Sequence, residues 1–148
     1  MLIIILMTTA TLAQTSDLAH AIAKAEGYFQ KGTIPQRYRN PGDLKAIRGY
    51  EYTGQSGVGK GGHVIFRSEA AGWAALNHQI EKMVVGGRYS ADMTLVQVAK
   101  KYASDWRIWS RNVAHNLGVP MTATLSECLG LPPRISFHTD GHELVGVL

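Results

Sequence analysis

Cysteine is almost absent from the chain, since Cys128 is the single one among 148 residues. One thiol excludes an intrachain disulfide and any metal site built from several cysteines. The segment 125–129 has the pattern of a helical turn, which predicts a buried, inert thiol rather than a nucleophile. The histidines lack the spacing of metal ligands; His138 and His142 come closest, but Asp140-Gly141 between them indicates a turn. We therefore expect no metal ion and no other cofactor.

Charge is also sparse. Charged residues make up 18% of the chain and hydrophobic residues 45%, which is typical of a globular protein and excludes a disordered one. A chain of 148 residues is long enough for one domain with a substantial core. Its formal net charge of +4 suits an anionic polymer such as a cell wall, a nucleic acid or an acidic membrane, but this value is also ordinary for a chain of this size.

A long apolar run is missing as well. The uncharged segment 1–13 contains a compact apolar run at Leu2–Leu6, well short of the roughly 20 residues that span a bilayer. Thr11-Leu12-Ala13 resembles a small-residue cleavage site, so we expect residues 1–13 to be a signal peptide and the protein to be secreted or periplasmic. The usual positively charged start is absent, and the alternatives are a mis-assigned start or a buried N-terminal strand.

Apolar periodicity predicts several helices joined by short loops. The first is expected to start at Ser16 or Asp17 and to end near Gln30. Ser68, Thr94 and Asp105 are expected to cap three more helices. A short helix is expected after these, at residues 124–129. Glycines should end two of these helices, at Gly86-Gly87 and at Gly118. The expected buried face of the first helix consists of Leu18, Ile22, Ala25 and Phe29.

Two alternating segments predict a β-hairpin. One surrounds Tyr50 and Tyr52, the other is His63–Phe66, and the glycine-rich segment 54–62 between them indicates a flexible tip. Taken together, the pattern predicts an α+β fold that is mostly α, with a small β-hairpin. We expect this domain to cover residues 14–131 and leave residues 132–148 as a C-terminal tail of unassigned structure.

The same glycine-rich segment nearly matches a phosphate-binding P-loop, but its context does not fit. A P-loop has Ser or Thr after its lysine, whereas Gly61 follows Lys60 here. It should also enter a helix, and a strand pattern follows instead. We therefore expect a hairpin tip, with neither a nucleotide nor a nucleic acid as a partner.

Glu26 is the residue that points most directly to a chemistry. It lies beside the apolar face of the first predicted helix and not opposite it. A carboxyl at such an edge loses hydration, so its pKa should rise and it can stay protonated near neutral pH. That is what a general acid needs in order to protonate a glycosidic oxygen. The alternative is a surface glutamate paired with a lysine or an arginine.

A series of short motifs runs along the chain, and the order in which they occur is more specific than any one of them. Over roughly residues 18–131 the series contains Glu26-Gly27, Asn40-Pro41-Gly42-Asp43-Leu44, Phe66, Glu69, Gly72-Trp73, Leu76, Tyr89, Thr94-Leu95, Tyr102-Ala103, Asn112-Val113-Ala114 and Leu117-Gly118-Val119. In this order the motifs resemble the lysozyme-like superfamily of goose-type lysozymes, phage muramidases and lytic transglycosylases. The resemblance implies a lysozyme-like helical domain that cleaves the β-1,4 bond between N-acetylmuramic acid and N-acetylglucosamine in peptidoglycan, with Glu26 as the general acid.

The second catalytic group is left open by the sequence. Asp43 is the best placed, because it follows a rigid turn, and it can serve as the base of an inverting hydrolase or simply cap its own turn. Glu51 is a weaker alternative. Without a second carboxylate, the muramic N-acetyl group or its C6 hydroxyl can attack, and the latter route gives an anhydro sugar. Asn40 can contact the substrate or only form the turn.

Aromatic and polar side chains are the candidates for contacts with sugar rings. Tyr50, Tyr52 and His63 can line the cleft, or they can pack across the hairpin. Tyr102 and Trp109 lie on apolar helix faces and can reach the cleft or belong to the core.

Two functions are therefore compatible with the sequence. The first is a monomeric, secreted peptidoglycan glycosidase that acts on glycan strands without a cofactor. The second is a non-catalytic cell-wall-binding or virion-structural domain on the same fold, because a fold does not determine a function.

Overall fold

The computed structural model describes residues 17–132, which contain helices α1 to α6 and one antiparallel two-stranded hairpin. The predicted class, α+β and mostly α with a small hairpin, is confirmed. None of the helices in this range combines the length and the apolar character that crossing a membrane requires. The predicted signal peptide at residues 1–13 lies outside the described range, as does the predicted tail at residues 132–148 except for its first residue. The elements are α1 (residues 17–25), α2 (Ile34–Arg37), β1 (Gln55–Val58), β2 (Val64–Phe66), α3 (Glu69–Val85), α4 (Leu95–Tyr102), α5 (Trp106–Leu117) and α6 (Leu125–Cys128).

Local capping sets the ends of the long helices where the sequence predicts them. The Ser68 side chain accepts the N–H of Ala71 at the start of α3. Thr94 and Gln97 form a reciprocal capping box at the start of α4. Gly118, in the left-handed conformation, ends α5.

Helix α1 ends earlier than predicted, at residue 25. Gly27 has φ +78°, and the N–H of Tyr28 donates to the carbonyl of Ala23 at 2.9 Å, which is the long bond of a Schellman motif. Glu26 is therefore the C-cap residue, between the last helical residue and the Gly27 turn. Because the chain turns here, Phe29 leaves the predicted buried face and is 53% exposed.

The hairpin is displaced from its predicted position along the chain. Strand β1 lies inside the segment 54–62 that was expected to be the tip, and a short 3-10 turn at Lys60–Gly62 forms the actual tip. Tyr50 and Tyr52 precede β1. The alternation of aromatic and polar residues around them arises because the Tyr52 ring is buried against Phe66. Neither tyrosine belongs to a strand of the hairpin.

Two hydrophobic clusters hold the elements together. The larger contains buried residues from α1, α3, α4, α5 and α6, including Cys128, where burial raises the pKa of the thiol to about 11, as expected of an inert cysteine. Tyr102 packs against both clusters and so connects them. The smaller cluster lies under the hairpin and contains Leu44, Tyr52, Val64, Phe66 and Ala75.

Asn40 fixes the loop between α2 and β1. Its side chain accepts the N–H of Leu44 at 2.8 Å and donates to the carbonyls of Leu44 at 2.9 Å and Val64 at 3.0 Å. Asn40 has no exposed surface, so it forms the turn and cannot contact a ligand. The loop rests on α3 at Gly72, where a Cβ would collide with the carbonyl oxygen of Arg39.

We expect Gly72→Ala to lower the free energy of unfolding by about 1–3 kcal/mol, because the added methyl would displace the backbone of the loop. In an ordinary helix the same change would stabilise by about 1 kcal/mol. Urea unfolding monitored by circular dichroism measures the difference. Gly57→Ala is the matched control, since a Cβ there meets only Ile65 Cδ1 at 4.0 Å. An unchanged or higher midpoint for Gly72→Ala would show that the loop does not rest on α3.

Candidate active site

A cavity of about 380 Å³ opens where the end of α1, the start of α5 and the hairpin meet. The end of α1 contributes Glu26, and the loop fixed by Asn40 contributes Asp43. The hairpin contributes His63, and α5 contributes Trp109. The complete lining is Ala25, Glu26, Asp43, Lys45, His63, Tyr102, Ala103, Ser104, Asp105, Ile108 and Trp109.

Glu26 is held in the cavity wall by one specific hydrogen bond. The indole Nε1–H of Trp109 donates to Oε1 of Glu26 at 2.7 Å. Burial raises the pKa of Glu26 from its ordinary value of 4.5 to about 7, and the nearby charge of Asp43 acts in the same direction. The hydrogen bond from Trp109 acts the other way but is the smaller effect. A substantial fraction of Glu26 is therefore protonated at neutral pH, as the apolar surroundings in the sequence led us to expect.

Asp43 is held by an unusual backbone and by His63. Its φ is +48°, in the left-handed region that few non-glycine residues adopt, although Asp tolerates it better than most. Oδ1 of Asp43 lies 2.6 Å from Nδ1 of His63, a close ion-pair contact that lacks the angles of a hydrogen bond, and neither atom has a hydrogen-bond partner among the described residues. The side chain is thus directed to His63 and does not cap its own turn. Burial raises the pKa of Asp43, while His63 and Lys45 act to lower it.

Tyr102 and Trp109 line the cavity while also belonging to the core. Their ring centroids lie 5.0 Å apart, and Trp109 is only 4% exposed. The hydroxyl of Tyr102 donates to the carbonyl of Gly42 at 2.6 Å, which ties α4 to the loop that carries Asp43. Burial raises the pKa of Tyr102 well above its usual value, so this hydroxyl is a hydrogen-bond donor and not an acid.

Three residues proposed to contact sugar lie away from this cavity. Asn40 is completely buried under the loop. Tyr52 is buried, and its hydroxyl donates to the carbonyl of Lys45. Tyr50 packs edge-on against Tyr52 at 4.9 Å, with Nζ of Lys82 4.7 Å from the centre of its ring. For both tyrosines the structure corresponds to the packing alternative.

Six lining residues were not anticipated as site residues, namely Ala25, Lys45, Ala103, Ser104, Asp105 and Ile108. Asp105 is at the N-cap position of α5 as predicted, but its side chain makes no capping hydrogen bond. The spacing of Asp105, Ile108 and Trp109 is the signal that could have identified Asp105 and Ile108, because residues three and four positions apart lie on the same face of a helix as Trp109. Among residues 17–132, no three His, Cys, Asp or Glu side chains are grouped to hold a metal ion.

Comparison of the chain with protein-family models, with curated proteins and with solved structures finds no match. The lysozyme-like resemblance therefore stays a prediction that depends on the order of short motifs. Function has to be argued from the chemistry of the cavity itself.

The raised pKa of Glu26 makes stability depend on pH in a defined direction. A carboxyl with a pKa of about 7 when folded and 4.5 when unfolded binds its proton more tightly in the folded state. Its stabilising contribution is complete below the lower value and is lost as the pH rises through the higher one. Between about pH 5 and pH 8, we expect wild type to lose about 2 kcal/mol of unfolding free energy relative to Glu26→Gln.

Urea unfolding of both proteins across this pH range measures the difference. Glu51→Gln is the matched control, because Glu51 is exposed and forms no ion pair among the described residues, so its loss should leave the pH dependence of wild type unchanged. A wild-type-to-Glu26→Gln difference that stays constant with pH would mean that Glu26 keeps an ordinary pKa.

Proposed function

We propose that the protein is a peptidoglycan glycosidase of the lysozyme-like kind, with Glu26 as its general acid. The substrate bond is the β-1,4 linkage between N-acetylmuramic acid and N-acetylglucosamine. The observation that carries this proposal is a carboxyl with a pKa of about 7, oriented by Trp109 in the wall of a cavity. A perturbed carboxyl in a concave site is a recognised mark of acid–base catalysis.

The protonation state of Glu26 suits the first step of glycoside cleavage. A carboxylic acid that is partly protonated at neutral pH can deliver its proton to the departing glycosidic oxygen. The bond from Trp109 engages Oε1, and so fixes the plane of the carboxyl. The second oxygen, Oε2, has no hydrogen-bond partner among the described residues and is the atom we assign to proton delivery.

The remaining surface of the cavity is compatible with a polar, uncharged sugar. Its volume lies within the range of small-molecule sites, roughly 300–1,000 Å³. Tyr102, Trp109 and Ile108 provide apolar surface, while Ser104, Asp105 and Lys45 provide hydrogen-bonding groups. This mixture is typical of sites that bind pyranose rings through stacking and through their polar substituents.

The non-catalytic alternative accounts less well for the cavity. A domain that only binds cell walls has no need for an acid held near neutrality, and burying Glu26 reduces stability at neutral pH. Retention of such a destabilising arrangement is typical of catalytic sites. We therefore favour the glycosidase over the binding domain.

We expect Glu26→Gln to reduce the release of soluble muropeptides from purified peptidoglycan by at least about 100-fold, because the amide cannot donate a proton to the leaving oxygen. Binding to sedimented cell walls should be retained, because Gln preserves the size of the side chain and can still accept from Trp109. Mass spectrometry of the soluble fraction and a sedimentation assay measure the two quantities.

Glu81→Gln, a change on the exposed side of α3 and outside the cavity, is the control and should release muropeptides at the wild-type rate. Equal release by wild type and Glu26→Gln would refute the assignment of the acid. Release by neither protein, with binding intact, would favour the non-catalytic domain instead.

Trp109→Phe should move the alkaline limb of the pH–rate profile to higher pH. The indole N–H lowers the pKa of Glu26, so its loss lets the acid stay protonated at higher pH. Trp106→Phe is the matched control, because Trp106 lies under Lys100 and Arg107 and does not line the cavity. A limb that stays in place or moves to lower pH would contradict the role of this hydrogen bond.

A further inference from the structure

His63 lies in the same cavity as Glu26, and its ring is fixed from two sides. Nδ1 is 2.6 Å from Oδ1 of Asp43. The other edge of the ring faces Gly61, where a Cβ would lie 3.1 Å from Cδ2 and 3.3 Å from Nε2. The backbone of His63 is held by a bridge to Lys45 on the neighbouring loop. The position of the ring is therefore determined by the hairpin and by the loop together.

The contact with Asp43 also selects a tautomer of His63. A carboxylate accepts a proton-bearing nitrogen, so in the neutral ring the proton belongs on Nδ1 and the lone pair on Nε2. Nε2 has no hydrogen-bond partner among residues 17–132. A neutral imidazole oriented by a carboxylate, with its second nitrogen free, is the arrangement of a general base.

The charged groups around His63 come from every element that borders the cavity. Asp43 and Lys45 belong to the loop before β1, Glu26 ends α1, and Asp105 precedes α5. The Nζ of Lys45 donates to the carbonyl of Gly61 at 2.7 Å, so this ammonium is held by the backbone of the hairpin tip and makes no ion pair with Asp43 among the described residues. Asp43 is thus the charged group in direct contact with the imidazole.

We propose that His63 is the general base that removes the proton from the attacking oxygen, and that Asp43 is a positioning residue that orients it. This inference rests on the proposed glycosidase function. As the attacking oxygen forms its bond to C1 of the muramic residue, its proton passes to Nε2 of His63. The bond from C1 to the glycosidic oxygen breaks, and the proton of Glu26 goes to that oxygen. Solvent then returns one proton to Glu26 and takes one from His63.

Two nucleophiles satisfy the same step. If water attacks, the product is a reducing muramic residue that contains one oxygen from the solvent. If the C6 hydroxyl of the same sugar attacks, the product is the anhydro sugar, lighter by one water. In both cases His63 takes one proton and Glu26 gives one, so the assignment of the base is the same.

Asp43 is less suited to act as the base itself. Its Oδ1 already lies against His63. Removing the carboxylate should therefore act through the imidazole. Asp43→Asn is expected to lower kcat with little change in KM, because the ring then loses the group that selects its tautomer.

The test compares His63→Ala, His63→Gln and Asp43→Asn with wild type in muropeptide release. Both His63 variants should lose about 10²–10⁴-fold in kcat, the range typical of removing a general base. Added imidazole should restore part of the activity of His63→Ala, because it can occupy the vacated space. It should not restore Asp43→Asn, whose imidazole is still present, nor Glu26→Gln, which lacks the acid. Mass spectrometry in ¹⁸O-labelled water distinguishes the two nucleophiles.

The ¹⁵N spectrum of wild-type histidine side chains gives a measurement that needs no variant. At a pH where the ring is neutral, His63 should carry its proton on Nδ1 and none on Nε2. A proton on Nε2 would overturn the proposal even if the variants failed to fold.

The outcomes separate this inference from the function on which it rests. An active wild type, an inactive Glu26→Gln and a His63→Ala within about twofold of wild type would overturn the base while leaving the glycosidase in place. A wild type that releases no muropeptides would overturn both.

Discussion

The contact between the carboxyl of Glu26 and the indole of Trp109 is the constraint on which the rest of the site depends. It joins α1 to α5 across 83 residues of sequence, at a point where the carboxyl is withdrawn from water. Glu26 can reach Trp109 because the Gly27 turn places it at the very end of α1. The end of a helix carries partial negative charge, which disfavours an ionised carboxylate in the same direction as burial does. Local backbone geometry and long-range packing thus both favour the protonated acid.

The second side of the cavity depends on the loop that carries Asp43, and this loop is unusually well determined. Asn40 satisfies three backbone groups from below, and Gly72 lets α3 approach the loop closely. From above, the hydroxyl of Tyr102 holds the carbonyl of Gly42. Because Tyr102 packs against both hydrophobic clusters, a shift of one cluster relative to the other would disturb Asp43. The loop is therefore a rigid wall of the cavity.

Features that depend on neighbours in the sequence were predictable, and those that depend on distant partners were not. Ser68, Thr94 and Gly118 set helix ends through local bonds, and the sequence identifies all three. The Glu26-Gly27 pair carries the signal of a helix end, whereas the apolar periodicity continues to Phe29 and predicts a longer helix. The hairpin was misplaced because strand register is decided by the opposite strand and the core beneath it. For the same reason, the contact of Asp43 with His63 could not be read from either residue alone.

The two carboxyls of the cavity are made different by their partners. Burial raises the pKa of both Glu26 and Asp43, but Asp43 also has two neighbours, His63 and Lys45, that act to lower its pKa. Asp43 should therefore ionise first, and its negative charge then makes ionisation of Glu26 harder still. The pair is self-reinforcing, since an ionised Asp43 keeps Glu26 protonated and a neutral Glu26 leaves Asp43 free to orient His63. When the surroundings separate the pKa values of two acids in this way, one group can donate a proton while the other helps to position the group that accepts one.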